Sequence, residues 1–373
     1  MSGTLMLIAG EVSGDTHTAR LALELQRLQP GVKLFGAGGP RMKEAGVELL
    51  LDLTEHAVVG LTDVLANYGK FRRFFWQLVG EAGRRRPDAV ILTDYPGFNL
   101  RFARQMKARG IRVFYYISPQ VWAWAPWRVQ DIARMVDLMM VIFPFEKEFY
   151  ARRAPQLPVE FVGNPLVEQL GGPSERLARE ANLVALLPGS RDREVERILP
   201  VMAEAARLLR RNRSGLRFEL AAASEKIASV ARQLAGDLPV EIRVGGAHEL
   251  MQRATAGMVA SGTATLESAL FGLPHVVVYR VSWLTYILGR CLVTVPHLGI
   301  VNVMAGREIV PEFIQHHARP GRLAQSIGAL LDDATRRERM QRELAAVVVT
   351  LEGAHAAGRA AEAVLAKLEN AGS

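Results

Sequence analysis

Residues 257–267 read Gly-Met-Val-Ala-Ser-Gly-Thr-Ala-Thr-Leu-Glu. The first four fit the end of a buried strand, Ser261, Gly262 and Thr263 make a tight small-residue turn, and the rest opens a helix. Strand, turn and helix in that order is one step of a parallel α/β fold. Hydroxyls and a glycine at a helix start leave backbone N–H groups free to meet an anion, and the helix dipole adds to the attraction. Glu267, about one and a half turns into the helix, can reach back towards hydroxyls of whatever carries that anion. A phosphate site with a nearby carboxylate points to a nucleotide, diphosphate on the turn and ribose on the glutamate. Ser and Thr are good N-caps at any helix, so a plain capped helix accounts for the same residues.

The same rhythm runs along the chain. Short apolar runs at 5–9, 32–35, 89–93, 113–117, 138–142 and 160–162 are strand candidates in the first half. Those at 183–187, 216–220, 240–244, 257–260 and 275–279 are candidates in the second. Amphipathic helical patterns separate them, so the fold class is α/β with parallel sheets. Gly163-Asn164-Pro165, followed by Gly171-Gly172-Pro173, reads as a linker, after which the pattern restarts. The expectation is two Rossmann-like doubly wound domains facing a central cleft, 1–165 and 166–344. Residues 334–367 read as helical, and a tail from about residue 345 to 373 could pack back on the first domain.

A length of 373 residues favours two domains. Hydrophobic residues at 49% and charged ones at 23% describe an ordinary globular chain and argue against disorder. A single cysteine excludes an intramolecular disulfide framework and fits a reducing compartment. Cys291 lies in an apolar stretch and reads as buried rather than nucleophilic. The N-terminus lacks a basic lead and runs straight into Glu11, so it reads as a first strand rather than a signal peptide. No stretch reaches the roughly 18 uninterrupted apolar residues of a spanning helix. Net charge is +8, which points to an anionic partner: nucleotide, nucleic acid or membrane surface.

Several post-strand loops carry polar groups. Gly10-Glu11-Val12-Ser13-Gly14-Asp15 places two carboxylates and a serine where an open sheet meets its ligand. Acids repel phosphate, so hydroxyl-rich ligands suit this loop; Ser13 or Asp15 could instead cap the helix. Gly36-Ala37-Gly38-Gly39 has the wrong place and spacing for a dinucleotide fingerprint and reads as a close-approach loop. In Thr93-Asp94-Tyr95-Pro96-Gly97-Phe98-Asn99, Asp94 ends an apolar run. It should be partly desolvated, with a raised pKa, and able to act as general base towards a sugar hydroxyl. Asn99 can bond the same ligand or fix the turn.

Trp122 and Trp124 in Ser118-Pro119-Gln120-Val121-Trp122-Ala123-Trp124 could stack on a sugar, lie against lipid or pack in the core. In Leu186-Leu187-Pro188-Gly189-Ser190-Arg191 the glycine allows backbone approach and Arg191 offers a cationic fork to a diphosphate. Asn302 and the segment containing Gln315 add polar groups among apolar neighbours. No His/Cys cluster has zinc spacing and no Asp-x-Asp pair appears. Residues 70–86 combine phenylalanines at helical spacing with arginines, as an interfacial helix or a core helix with a basic face would; Trp76 falls off the apolar stripe. Residues 282–292 are a second such candidate.

Together these loops resemble the lipid-A-disaccharide synthase family, inverting glycosyltransferases with two Rossmann-like domains of GT-B type. The resemblance rests on GEVSGD at 10–15, GAGGPRM at 36–42, DYPGFN at 94–99, SPQVWAW at 118–124 and PFEKEFY at 144–150. It continues through LLPGSR at 186–191, SGTATLE at 261–267, NVMAGREIVPE at 302–312 and Gln315. It implies transfer of 2,3-diacylglucosamine from UDP-2,3-diacylglucosamine to 2,3-diacylglucosamine 1-phosphate (lipid X), giving lipid A disaccharide 1-phosphate and UDP. The implied catalytic set is Asp94, as general base, with Glu11, Ser13 and Asn302. The implied donor set is Gly189, Ser190, Arg191, Ser261, Gly262, Thr263, Glu267 and Gln315; the acceptor side has Asp15, Asn99 and Trp122.

No metal or cofactor is implied, the UDP-sugar being a substrate. Nor is a nucleic acid; the resemblance allows a homodimer. The implied place is cytoplasmic, peripheral to the cytoplasmic face of the inner membrane, in lipopolysaccharide synthesis. Two positions depart from the family pattern: Gly97 stands where Asp is usual and Asn164 where His is usual. Rival readings are another two-Rossmann UDP-sugar enzyme, a lipid glycosyltransferase or epimerase, and a non-catalytic glycolipid or nucleotide-sugar binding paralogue.

Overall fold

In the computed structural model, which describes residues 3–56, 68–171, 177–351 and 355–369, the apolar runs form strands of two separate sheets. The chain divides into two units: Met1–Glu168 with Leu351–Ser373, and Gln169–Thr350. The Gly172-Pro173 part of the expected linker lies outside the described residues, as does the side chain of Cys291.

The first unit holds β1 (Thr4–Ala9), β2 (Lys33–Gly38), β3 (Glu48–Asp52), β4 (Ala89–Thr93), β5 (Arg112–Tyr116), β6 (Leu138–Val141) and β7 (Val159–Phe161). All pair in parallel, in the order β3-β2-β1-β4-β5-β6-β7. Successive side chains of a strand point to opposite faces, and both faces here are covered. Met6, Ile8, Val90 and Leu92 pack with Leu78, Val79 and Ala82 of the helix Tyr68–Arg85 and with Phe102. Leu5, Leu7, Ala89 and Ile91 pack with Leu21 and Leu25 of the helix Val12–Leu28. Burial on both faces is why the central strands read as unbroken apolar runs.

The same second face carries the returning end of the chain. The helix Ala356–Glu369 buries Ala360, Ala361 and Val364 there. Small residues let it lie close to its neighbours, and Glu168 accepts a hydrogen bond from the Ala357 N–H at 3.3 Å.

The second unit holds β8 (Glu180–Leu187), β9 (Arg217–Ala222), β10 (Val240–Val244), β11 (Ala254–Ala260), β12 (His275–Tyr279) and β13 (Glu312–Ile314). They form a parallel sheet ordered β10-β9-β8-β11-β12-β13. Val184, Leu186, Met258 and Val276 pack with Val195, Ile198, Leu199 and Met202 of the helix Asp192–Arg211. Leu183, Ala185, Leu187 and Val259 face Leu250 and Met251. The C-terminal stretch that reads as helical holds two helices, Ala334–Val349 in this unit and Ala356–Glu369 in the other. Among the described residues no helix is long and apolar enough to cross a membrane.

Candidate functional site

In an open parallel sheet, ligands meet the carboxyl ends of the strands where the strand order reverses direction. In the first unit that point lies between β1 and β4, because β2 and β3 continue to one side and β5 to β7 to the other. The loops that leave those two strands are 10–15 and 94–99.

Asp94 and Tyr95, immediately after β4, both have φ near +45°. Neither is glycine, and each residue held so costs of order 1–3 kcal/mol. The surroundings impose this conformation. The Asp94 carbonyl accepts hydrogen bonds from the Tyr115 hydroxyl at 2.6 Å and from Asn99 Nδ2 at 2.8 Å, while the Asp94 N–H donates to the Tyr116 carbonyl at 3.0 Å. The Tyr95 ring lies against Gly10, where a Cβ would sit 2.1 Å from Tyr95 Cδ1. Any larger residue at position 10 would push the two loops apart. Beneath them, Thr18 Oγ1 donates to Thr93 Oγ1 at 2.7 Å.

Burial pushes the Asp94 carboxyl up to about 6, with the charge of Glu11 adding to the rise and the Tyr95 N–H opposing it. Glu11 and Ser13 are exposed at the same strand end, and neither side chain caps the helix that follows. Asp94, Glu11 and Ser13 therefore gather at one switch point.

Three other residues named from the sequence are engaged inside the protein. Asp15 is 2% exposed and accepts from the N–H groups of Gly39, Arg41 and Met42 at 2.8, 3.0 and 3.0 Å. The close approach at 36–39 is thus made to Asp15 and to the neighbouring strand. Asn99 is fully buried and its amide holds the Thr93 and Asp94 carbonyls. Trp122 is buried, packs edge-on against Phe145 and donates from Nε1 to Glu146 at 3.1 Å.

Glu146, which sequence reading did not single out, also accepts from the Ile142 and Phe143 N–H groups. Burial nonetheless pushes its carboxyl up to about 8. Of the two departures, Gly97 is exposed with open space where a side chain would project. Asn164 is buried and caps the turn that follows, its Oδ1 accepting from the Leu166 N–H at 3.0 Å.

In the second unit the strand order reverses between β8 and β11, and the loops leaving those strands are 188–191 and 261–263. Gly262 adopts φ 151° and ψ −156°, a conformation open essentially to glycine alone, and nothing crowds its Cβ position. The helix Thr263–Leu270 that it starts has no side-chain cap. Of its first N–H groups, that of Thr265 donates to the Gly262 carbonyl at 3.2 Å; those of Thr263 and Ala264 precede the first carbonyl they could reach within the helix. Arg191 is exposed at the start of the helix Asp192–Arg211, beside Gly189 and the exposed Ser190.

Two residues here were not anticipated. Glu194 folds back against Gly189 and accepts from the Ser190 N–H at 3.2 Å; burial raises its pKa, with that hydrogen bond and Arg191 opposing. His248 sets Nε2 3.6 Å from Glu267 and lies on Phe271. Burial raises the pKa of Glu267 and His248 counters it. The i+4 spacing of Glu194 from Ser190 was a readable signal; the pairing of residues 248 and 267 had none.

Asn302 and Gln315 support this face from within. Asn302 is fully buried and spends its amide on Val310, Glu312 and the N–H groups of Ile309 and Val310. Glu312 in turn accepts from the Leu298 and Gly299 N–H groups, both at 2.9 Å. The Leu298 carbonyl accepts from Ser261 Oγ at 3.5 Å. Gln315 clamps both the N–H and the carbonyl of Val281.

Two parallel sheets with loops of this kind define a GT-B-like fold, shared by glycosyltransferases and nucleotide-sugar epimerases. The chain is similar in fold to the UDP-GlcNAc 2-epimerase from Neisseria meningitidis bound to UDP-GlcNAc, with TM-score 0.58, 12% identity and coverage of 98% and 100% of the two chains. It is similar also to the calicheamicin glycosyltransferase CalG4, with TM-score 0.58, 16% identity and coverage of 99% and 98%.

Sequence narrows the class. A family model for lipid-A-disaccharide synthetase matches residues 5–366. The lipid-A-disaccharide synthase of Geobacter sulfurreducens is 44% identical, covering 98% of each chain, and that of Myxococcus xanthus is 41% identical, covering 97% and 96%. The chain belongs to the lipid-A-disaccharide synthase family, glycosyltransferases of lipid A biosynthesis.

Proposed function

We propose that the chain transfers 2,3-diacylglucosamine from UDP-2,3-diacylglucosamine to 2,3-diacylglucosamine 1-phosphate, with inversion, and releases UDP. The observation that carries this reading is Asp94: a carboxyl raised to about 6, at the strand-order reversal of one unit, in a backbone conformation held by buried donors. At neutral pH such a group is mostly ionised yet more basic than an ordinary aspartate. It takes the proton of the acceptor's attacking hydroxyl as that oxygen bonds to the donor's anomeric carbon. A positioned base of this kind contributes roughly a hundredfold to ten-thousandfold. The bond from the anomeric carbon to the diphosphate oxygen breaks, and negative charge grows on UDP. Arg191 and the uncapped helix start at Gly262 and Thr263 meet that charge, and Glu267 takes the ribose hydroxyls. Glu11 and Ser13 serve the acceptor.

Asp15, Asn99 and Trp122 shape the acceptor side, and Asn302 and Gln315 the donor side, from inside the protein. Acylated substrates bring the enzyme to the inner face of the membrane. Among the exposed apolar residues, Trp76 and Trp127 of the first unit and Trp283 and Ile287 of the second, exposed by 49%, 62%, 61% and 57%, suit such a contact. Incubation with UDP-2,3-diacylglucosamine and the monosaccharide 1-phosphate, followed by mass spectrometry, should show the disaccharide 1-phosphate and UDP. Bound UDP with no disaccharide formed would overturn the reading.

A further inference from the structure

We infer that Tyr115 and Asn99 are positioning residues for the reaction: by jointly holding the Asp94 carbonyl they keep Asp94 in the left-handed conformation that presents its carboxyl. This deepens the proposed function and rests on Asp94 acting there as base. Tyr115 is fully buried, one residue before the carboxyl end of β5, and its hydroxyl donates to the Asp94 carbonyl just beyond the end of β4 at 2.6 Å. Asn99, also fully buried, donates to the same oxygen at 2.8 Å and to the Thr93 carbonyl at 3.1 Å.

A buried tyrosine can satisfy its hydroxyl in many ways; here two side chains from different elements converge on one carbonyl. That carbonyl belongs to the first of two consecutive non-glycine residues at positive φ. With the clamp removed, ordinary φ values are downhill for residues 94 and 95, and a turn of the backbone there swings the carboxyl away. The charged and titratable groups facing Asp94 are Glu11 from the loop after β1, Tyr95 beside it and Tyr115 from β5; Tyr150 lies beyond, facing Tyr115.

Tyr115→Phe removes one hydroxyl and keeps the ring. In the full-length enzyme it should lower kcat at least about tenfold, leaving the Kd for UDP within about twofold. The acid limb of its kcat–pH profile should move to lower pH, because a carboxyl released from burial and from Glu11 returns towards the ordinary aspartate value. A parental kcat, or a fall in kcat with the acid limb unmoved, overturns the inference. Should Tyr115→Phe fail to bind UDP, the same measurements on Asn99→Leu decide, with the same two outcomes. Asp94→Asn separates this from the reading beneath it. Near-parental turnover in Asp94→Asn removes the base itself, whereas an inactive Asp94→Asn beside a parental Tyr115→Phe removes only the clamp. In the Asp94→Asn background, Tyr115→Phe should have no further effect on kcat.

Discussion

The two strand-order reversals, β1/β4 in one unit and β8/β11 in the other, share a topology and differ in chemistry. At β1/β4 the loops carry carboxylates, Glu11 and Asp94, and non-glycine residues held at positive φ by buried donors. At β8/β11 they carry glycine, hydroxyls, an exposed arginine and an uncapped helix start. The proposed reaction would use the first arrangement to accept a proton and the second to hold the diphosphate; the residues at the second turn include no carboxylate at positive φ. In that reaction, parallel sheets of one design would supply a base and an anion site according to what fills the turns, not how the strands run.

The comparison breaks most visibly at Asp94. Asp94→Asn should cost at least about a hundredfold in turnover while UDP binding stays, measured by initial rates and by calorimetry. Loss of UDP binding instead would mean that the two reversals do not divide the work. Arg191→Ala should weaken UDP by about tenfold to a hundredfold, the loss of charge-assisted hydrogen bonds, with product chemistry intact at saturating donor. Unchanged affinity would take Arg191 out of the donor site.

The pH dependence sharpens the base side. With Asp94 at about 6, the active ionised form falls about tenfold between pH 7 and pH 5. Activity should therefore rise with pH through 6 and level above it; a limb near 4 would deny the raised carboxyl. Gly262→Ala tests the anion side through the backbone. At φ 151° alanine adds strain of about 1–3 kcal/mol, so UDP affinity should drop about tenfold and the thermal midpoint should fall. The smallest effect expected is Glu267→Gln, about fivefold in UDP affinity, a single hydrogen bond's worth.

Strands buried on both faces were readable because unbroken apolar runs leave few other solutions. β3 and β13 were not. Edge strand β3 is half-buried and carries Glu48 and Asp52, and β13 is three residues long. The apolar run of β3, Leu49–Leu51, is only three residues long and closed in by two carboxylates, and β13 has just Phe313 and Ile314. The loops at the strand ends were readable as places for chemistry, but not the division of labour inside them. Asp15 looked like Glu11, two carboxylates in one glycine-lined turn. It lies buried because N–H groups at positions 39, 41 and 42 reach it. Asn302 and Gln315 could be seen to avoid the surface, yet their partners sit up to 34 residues away. Tyr115 gave no signal at all, being one more aromatic residue in a buried strand.

By itself, then, the sequence determined two parallel α/β units, the strand ends that carry polar chemistry and membership of the family. Those follow from local periodicity and from residues adjacent in the chain. Only the tertiary structure decided that the loops at 10–15 and 94–99 share one reversal, that Glu11 adds to the rise which burial of Asp94 already brings, and that its backbone is held by Tyr115. Desolvation, charge proximity and strain are set by distances through space, between residues that the chain order keeps far apart.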